Sequence, residues 1–221
     1  MKTDQQLKQD VTDELAWDPA VKSERVGVAV KNGIVTLSGH IDTYAEKRAI
    51  EKALRRVNGV KAIALELDVL LSPDHQRGDT EIAQAVDLAL RWNSSVPPER
   101  VRATVEHGWI TLGGEVDWDV ERTSAEKAVR PLIGVIGVRN EITLRPRATP
   151  TGIGARIEEA LERHAEREAR HITVDVRGAT VTLRGNVDSW RERDAAAGAA
   201  WSAPGVLAVV NELRVEGKES T

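Results

Sequence analysis

The segment Val35-Thr36-Leu37-Ser38-Gly39 returns in near-copy as Ile110-Thr111-Leu112-Gly113-Gly114 and as Val181-Thr182-Leu183-Arg184-Gly185, at spacings of 75 and 71 residues. Counting from the last glycine of each segment keeps all three in register. Two residues on stands an aliphatic residue followed by Asp (Ile41-Asp42, Val116-Asp117, Val187-Asp188), and seven on stands Glu followed by a base (Glu46-Lys47, Glu121-Arg122, Glu192-Arg193). Twenty on stands Gly-Val (Gly59-Val60, Gly134-Val135, Gly205-Val206), and three residues after that valine comes Ile63, Val138 or Val209. An ungapped match of this length makes the 221 residues three copies of one unit. The copies divide the chain into residues 1–72, 73–148 and 149–221. The linkers, Leu71–Gly78 and Pro146–Gly152, contain Ser72-Pro73-Asp74 and Pro146, Pro150 and Gly152. Both are short, so neighbouring modules are expected to touch.

Within each copy the periodicity changes in a fixed order. Leu7, Val11 and Leu15 align with Ile82, Val86 and Leu90 and with Ile153, Ile157 and Leu161, the i, i+4, i+8 stripe of an amphipathic helix. Asp4 and Asp79 precede that stripe and suit the helix N-terminus as caps, with Thr151 in that role in the third copy. Alternation at Val26-Val28-Val30, Val101-Ala103-Val105 and Ile172-Val174-Val176 then predicts a half-buried strand. Asn32-Gly33 is a two-residue hairpin signal, because both positions need positive φ; His107-Gly108 and Gly178-Ala179 are weaker forms of it. Thr43-x-x-Glu46 and Ser189-x-x-Glu192 have the spacing of a capping box that opens a second helix. A last alternating segment closes each copy, through Ile63-Leu65-Leu67-Val69, Val138-Ile142-Leu144 or Val209-Leu213-Val215. The predicted class is α+β: three tandem αββαβ modules, each with two helices on a three-stranded mixed sheet.

Phenylalanine is absent and aromatic residues are 3% of the chain, so these cores must be aliphatic. The second helix shows how unequal they are. It presents Ile50, Ala53, Leu54 and Val57 in the first copy and Ala125, Ala128, Val129 and Leu132 in the second, against Ala196, Ala199, Ala200 and Ala203 in the third. The third module therefore buries least apolar area and is expected to be the least stable of the three or to lean on a neighbour, with Trp201 beside the alanine stripe to fill part of the gap.

Several function classes are disfavoured. Net charge is −4 and evenly spread, so no third of the chain is a basic arm that would neutralise phosphates, and nucleic acid is not an expected partner. There is no cysteine for a disulfide, a thiolate nucleophile or a zinc-thiolate site. The five histidines occupy no common position in the copies, and neither a Gly-x-Ser-x-Gly elbow nor a phosphate-binding glycine loop occurs. Asp117-x-Asp119-x-Glu121 looks calcium-like but lacks the offsets of an EF-hand loop, and helix N-terminal acids explain it more simply. Turn and capping roles likewise suffice for Asp42, Asp117 and Asp188. No cofactor, metal or catalytic residue is expected. The polar N-terminus carries no apolar leader and no apolar run is long enough to span a bilayer, so the expected compartment is the cytoplasm.

The one surplus is tryptophan, with six residues where Phe has none. Trp17 and Trp92 hold the same position, two residues beyond the last core leucine of the first helix and turned away from its apolar stripe. Trp118 and Trp190 lie where the chain enters the second helix, beside the place of Tyr44. These five are the candidate lipid- or partner-binding residues, because an indole is apolar in its ring and polar at its N–H. The competing reading is that they seal module ends or the contacts between modules.

The x-Gly-x-Val-x-Leu-x-Gly-x-Val hairpin, the capped second helix and the Gly-Val-x-x-Val strand together resemble the BON domain, in all three modules. The third copy departs from the pattern at Gly178-Ala179 and in its alanine-rich helix. The resemblance implies a non-catalytic, stress-linked protein that associates with a phospholipid surface or with a membrane-bound protein, and it makes the periplasm the alternative compartment. A protein-interaction scaffold or chaperone-like role is the second reading. A small-ligand or ion sensor finds no supporting residue in the sequence.

Overall fold

The structure, a computed structural model, describes residues 2–97, 99–146, 152–164 and 172–215, without the side chains of 161–164. The first module runs α1 (Asp4–Trp17), β1 (Val26–Lys31), β2 (Ile34–Ile41), α2 (Tyr44–Leu54) and β3 (Ala62–Val69). The second runs α3 (Asp79–Trp92), β4 (Val101–Glu106), β5 (Trp109–Val116), α4 (Asp119–Val129), β6 (Gly137–Asn140) and β7 (Thr143–Leu144). The third runs α5 (Ile153–His164), β8 (Ile172–Arg177), β9 (Thr180–Val187), α6 (Trp190–Trp201) and β10 (Ala208–Val215). In each sheet the middle strand pairs antiparallel with the strand before it and parallel with the strand after its helix, as in Val28↔Leu37 and Leu37↔Leu65. The expected αββαβ module is present in all three copies.

Strand parity decides which face is covered. Val35, Leu37 and Ile41 point toward the helices and are buried, and Ile110, Leu112 and Val116 and Val181, Leu183 and Val187 do the same. Against them lie the stripes Leu7, Val11, Leu15 and Ile82, Val86, Leu90, with Ile153 and Ile157 in the third module; the side chain of Leu161 lies outside the described residues. The α2 face (Ile50, Ala53, Leu54) is fully buried, whereas α6 closes its core with Ala196 and Ala200 and with a half-buried Trp201. In the second module the third strand is broken into β6 and β7, both parallel to β5. Asn140 stands there in place of Leu65; its side chain accepts from Ile142 N (3.2 Å) and donates to Arg122 O (3.1 Å), tying strand to helix. Asn211 makes the equivalent bonds in the third module, where the strand stays continuous.

The expected caps are corrected. Thr3 is the N-cap of α1, accepting from Gln6 N while the Gln6 side chain accepts from Thr3 N, and Gly78 precedes α3. Thr151 lies outside the described residues. Asp4 and Asp79 instead reach across to the hairpin turns. The carboxylate of Asp4 accepts from Asn32 N (2.7 Å) and Gly33 N (3.0 Å), and that of Asp79 from His107 N (2.8 Å) and Gly108 N (2.9 Å). Both residues of each turn have positive φ, and their two adjacent N–H groups converge on one anion. Pro150 stands at the matching position of the third module, whose turn has a left-handed residue only at Gly178.

This brace carries a pH dependence. The amides of Gly108 and then His107 hold the Asp79 carboxyl below the ordinary carboxylate range. A folded-state pKa below the unfolded value gives stability that is present above about pH 4 and lost as pH falls through the folded pKa. Asp79→Asn is therefore expected to lower the urea midpoint at pH 7, with the gap to the parent protein closing in acid. An equal gap at both pH values would show that the charge of Asp79 contributes nothing.

Candidate membrane- or partner-binding surface

The recurring acids of the second helix serve its entry. Glu46 is buried and accepts from Lys22 N (2.7 Å) and Asp42 N (3.1 Å), while Thr43 Oγ1 accepts from Glu46 N (3.1 Å). Glu192 accepts from Asp188 N (2.8 Å) and Glu121 from Asp117 N (2.8 Å) and Trp118 N (3.0 Å). The Asp42 carboxylate binds Lys22 (2.6 Å) and Arg25 (2.7 Å), and the Lys22 bond, with the two positive charges, holds its pKa low. Asp117 pairs with Arg100 (2.8 Å), and Asp119 pairs with Arg122. Every carboxylate of the calcium-like run is thus engaged by protein. Among the described residues no three His, Cys, Asp or Glu side chains gather as metal ligands.

The five candidate aromatics do not form one surface. Trp17 and Trp92 each end a helix whose buried stripe faces the other way, and they are 85% and 84% exposed. Beside Trp17, Arg56 bridges Glu14 (2.5 Å) and Asp18 (3.1 Å), and its bond to Asp18 lowers that carboxyl. One turn before Trp92, on the same face of α3, Leu88 is also exposed, which gives the second module an apolar strip that the first lacks at Asp13. Trp118 is half-buried at the entrance of α4.

Tyr44 and Trp190, at equivalent positions, lie between modules. Tyr44, the first residue of α2, packs against the core of the second module. Trp190, the first residue of α6, donates from Nε1 to Val60 O of the first module (2.8 Å), with the guanidinium groups of Arg193 and Arg55 at 5.4 and 6.0 Å from its ring. Arg55 also pairs with Asp194 (2.6 Å). A third contact joins the remaining two modules: Arg122, in the first turn of α4, sits 4.6 Å over the ring of Trp201 at the end of α6. The start of each second helix thus reaches a different neighbour, first to second, second to third and third to first. A head-to-tail contact repeated three times closes into a ring. Sequence reasoning missed Arg122, Asp194 and the Val60 carbonyl, because nothing local marks them. Trp109, 48% exposed on the uncovered face of β5, was legible from strand parity with the buried Ile110.

Among the described residues no helix is long and apolar enough to cross a membrane. Osmotically-inducible protein Y of Escherichia coli (strain K12) is 26% identical over 126 residues, which cover 55% of this chain and 63% of that protein, less than two thirds of its length. Of the solved structures, CdsD, a structural protein of the type III secretion system of Chlamydia trachomatis, is 14% identical with a TM-score of 0.25, over 96% of this chain and 92% of that one. Its C-terminal domain gives 14% and 0.26, over 95% and 97%; superpositions at that level say nothing of function. The BON-domain family model matches three times, over residues 3–70, 78–146 and 151–217, one match to each αββαβ module. With nearly its whole length so matched, the chain belongs to the BON-domain family.

Proposed function

We propose that this is a non-catalytic, stress-associated protein that docks peripherally on phospholipid surfaces through the exposed ends of α1 and α3. The observation that carries the proposal is the pair Trp17 and Trp92, equivalent in two modules and almost wholly exposed, with Leu88 extending the second. Membership of the BON family and the similarity to an osmotically inducible protein support the stress-linked, membrane-associated reading. Charge contributes little to such docking, because net charge is −4 and no third of the chain is basic. Two indoles at the headgroup level would supply the affinity, each worth about 1.5–3 kcal/mol if fully buried. The second reading, a scaffold for other proteins, is favoured by Tyr44 and Trp190, since surface aromatics already make protein contacts here.

Vesicle flotation separates the two. Trp17→Ala with Trp92→Ala is expected to weaken binding to phosphatidylcholine and mixed anionic vesicles by about tenfold or more, with circular dichroism unchanged. Raising salt to physiological ionic strength should leave parent binding largely intact. A parent protein that floats with no vesicle, and whose tryptophan emission is unmoved by lipid, would leave the scaffold reading.

A further inference from the structure

The face of the second module's sheet turned away from α3 and α4 carries a small constellation that its sister modules lack. Register sets it out in two rows, Glu106–Trp109–Gly137 and Thr104–Thr111–Arg139. Gly137 lets the indole lie close over β6: a Cβ there would stand 2.3–2.6 Å from three atoms of the Trp109 ring. The ring becomes one wall of a shallow depression of about 290 Å³, lined by Thr104, Glu106, His107, Trp109, Thr111 and Arg139. The carboxylate of Glu106 and the guanidinium of Arg139 are in exposed residues at opposite corners, and neither has an ion pair or hydrogen bond among the described residues. The same strand positions hold Ile34, Lys31 and Ala64 in the first module and Thr180, Arg177 and Val210 in the third, with no aromatic flanked by opposite charges.

We propose that this depression binds a small soluble zwitterion with a quaternary ammonium at one end and a carboxylate or phosphate at the other. The cation sits on the face of Trp109 and against Glu106, since an indole is the best aromatic surface for a quaternary ammonium. The anion meets the guanidinium of Arg139, whose planar fork suits both carboxylate and phosphate, with the hydroxyls of Thr104 and Thr111 beside it. Charge complementarity selects this class: a simple cation leaves Arg139 unmatched, a simple anion meets Glu106, and a neutral ligand uses neither. Each contact is solvent-exposed and weak, so affinity is roughly millimolar, fit for an abundant solute. A lipid headgroup is the poorer source. Asp79 pins the start of α3 to the 107–108 turn, so Trp92, thirteen residues on, lies about 20 Å away and on the helix side of the sheet. The depression shares no residue with the exposed ends of α1 and α3, so this binding is independent of the lipid docking proposed above.

Amide and indole chemical-shift titration of the full chain with glycine betaine and phosphocholine tests the assignment. Saturable shifts are expected at the Trp109 indole and at Thr111 and Arg139, with choline alone or acetate alone binding at least roughly fivefold more weakly. Trp109→Ala should abolish saturation, and Glu106→Gln, an isosteric change at an exposed position, should remove the preference for zwitterion over acetate. No saturation up to about 100 mM overturns the proposal. So does choline binding as tightly as betaine, or a response to phosphatidylcholine vesicles without one to either free zwitterion. The Trp17 and Trp92 flotation result stands or falls separately, because those variants leave the depression untouched.

Discussion

Gly114→Ala is expected to destabilise the second module by on the order of 3–5 kcal/mol, a large share of the roughly 5–15 kcal/mol that holds a typical domain folded. Gly114 has φ 124°, a conformation L side chains rarely adopt, and a Cβ there would lie 2.0 Å from the carbonyl oxygen of Arg100. That oxygen belongs to backbone at the start of β4, paired at Val101↔Gly114, so it cannot move without opening the hairpin. Gly39 is in the same position, with φ 131° and the Arg25 carbonyl at 2.2 Å. The control is the preceding residue. A Cβ on Gly113 meets nothing within 4 Å, and Gly113→Ala should be neutral or slightly stabilising by reducing the freedom of the unfolded chain. Urea denaturation of the two variants side by side decides the matter; equal midpoints would mean that the close approach at Gly114 relaxes at no cost.

The same contrast separates what is legible in the sequence from what is not. The glycine at 39, 114 and 185 recurs because a backbone oxygen fills the space of its side chain in two of the modules, and such constraints leave a mark at each repeat. Helix stripes, strand parity and the entry glutamates are local in the same sense, and from them the αββαβ order follows. What stayed illegible depends on partners far along the chain. Asp4 has the composition of a cap and the right place for one; that it braces a turn 28 residues later depends on how α1 lies over β1. Asn140 and Leu65 occupy one position, yet only the coordinates show the asparagine replacing core packing with bonds to Ile142 and Arg122. The aromatic surplus was visible, but its division was not. Trp17 and Trp190 both lie off the core stripes of their modules, and only the contacts between modules separate a residue facing solvent from one bonded to Val60.

Trp190→Ala is expected to loosen the third module inside the intact chain, because α6 depends on its neighbours more than α2 or α4 does. Its buried side is alanine, Ala196 and Ala200, where α2 buries Ile50 and Leu54, so the helix contributes little apolar area to its own sheet. Its outer side is correspondingly engaged: Trp190 and Asp194 meet the first module and Trp201 meets Arg122 of the second. Removing a half-buried indole and the partner of the Val60 carbonyl should cost about 2–3 kcal/mol, whereas breaking the exposed Arg55–Asp194 pair should cost less than about 1 kcal/mol. Hydrogen exchange of the full chain reads this directly. Amides of residues 190–215 should exchange about 30- to 100-fold faster in Trp190→Ala, while those of β5 and α4 change little. Calorimetry should show an early transition splitting from the main one, and Trp92→Ala should leave both measurements unchanged. Uniform exchange throughout the chain, or an unmoved early transition, would mean that the third module stands without its neighbours and that the ring contacts contribute nothing to its stability.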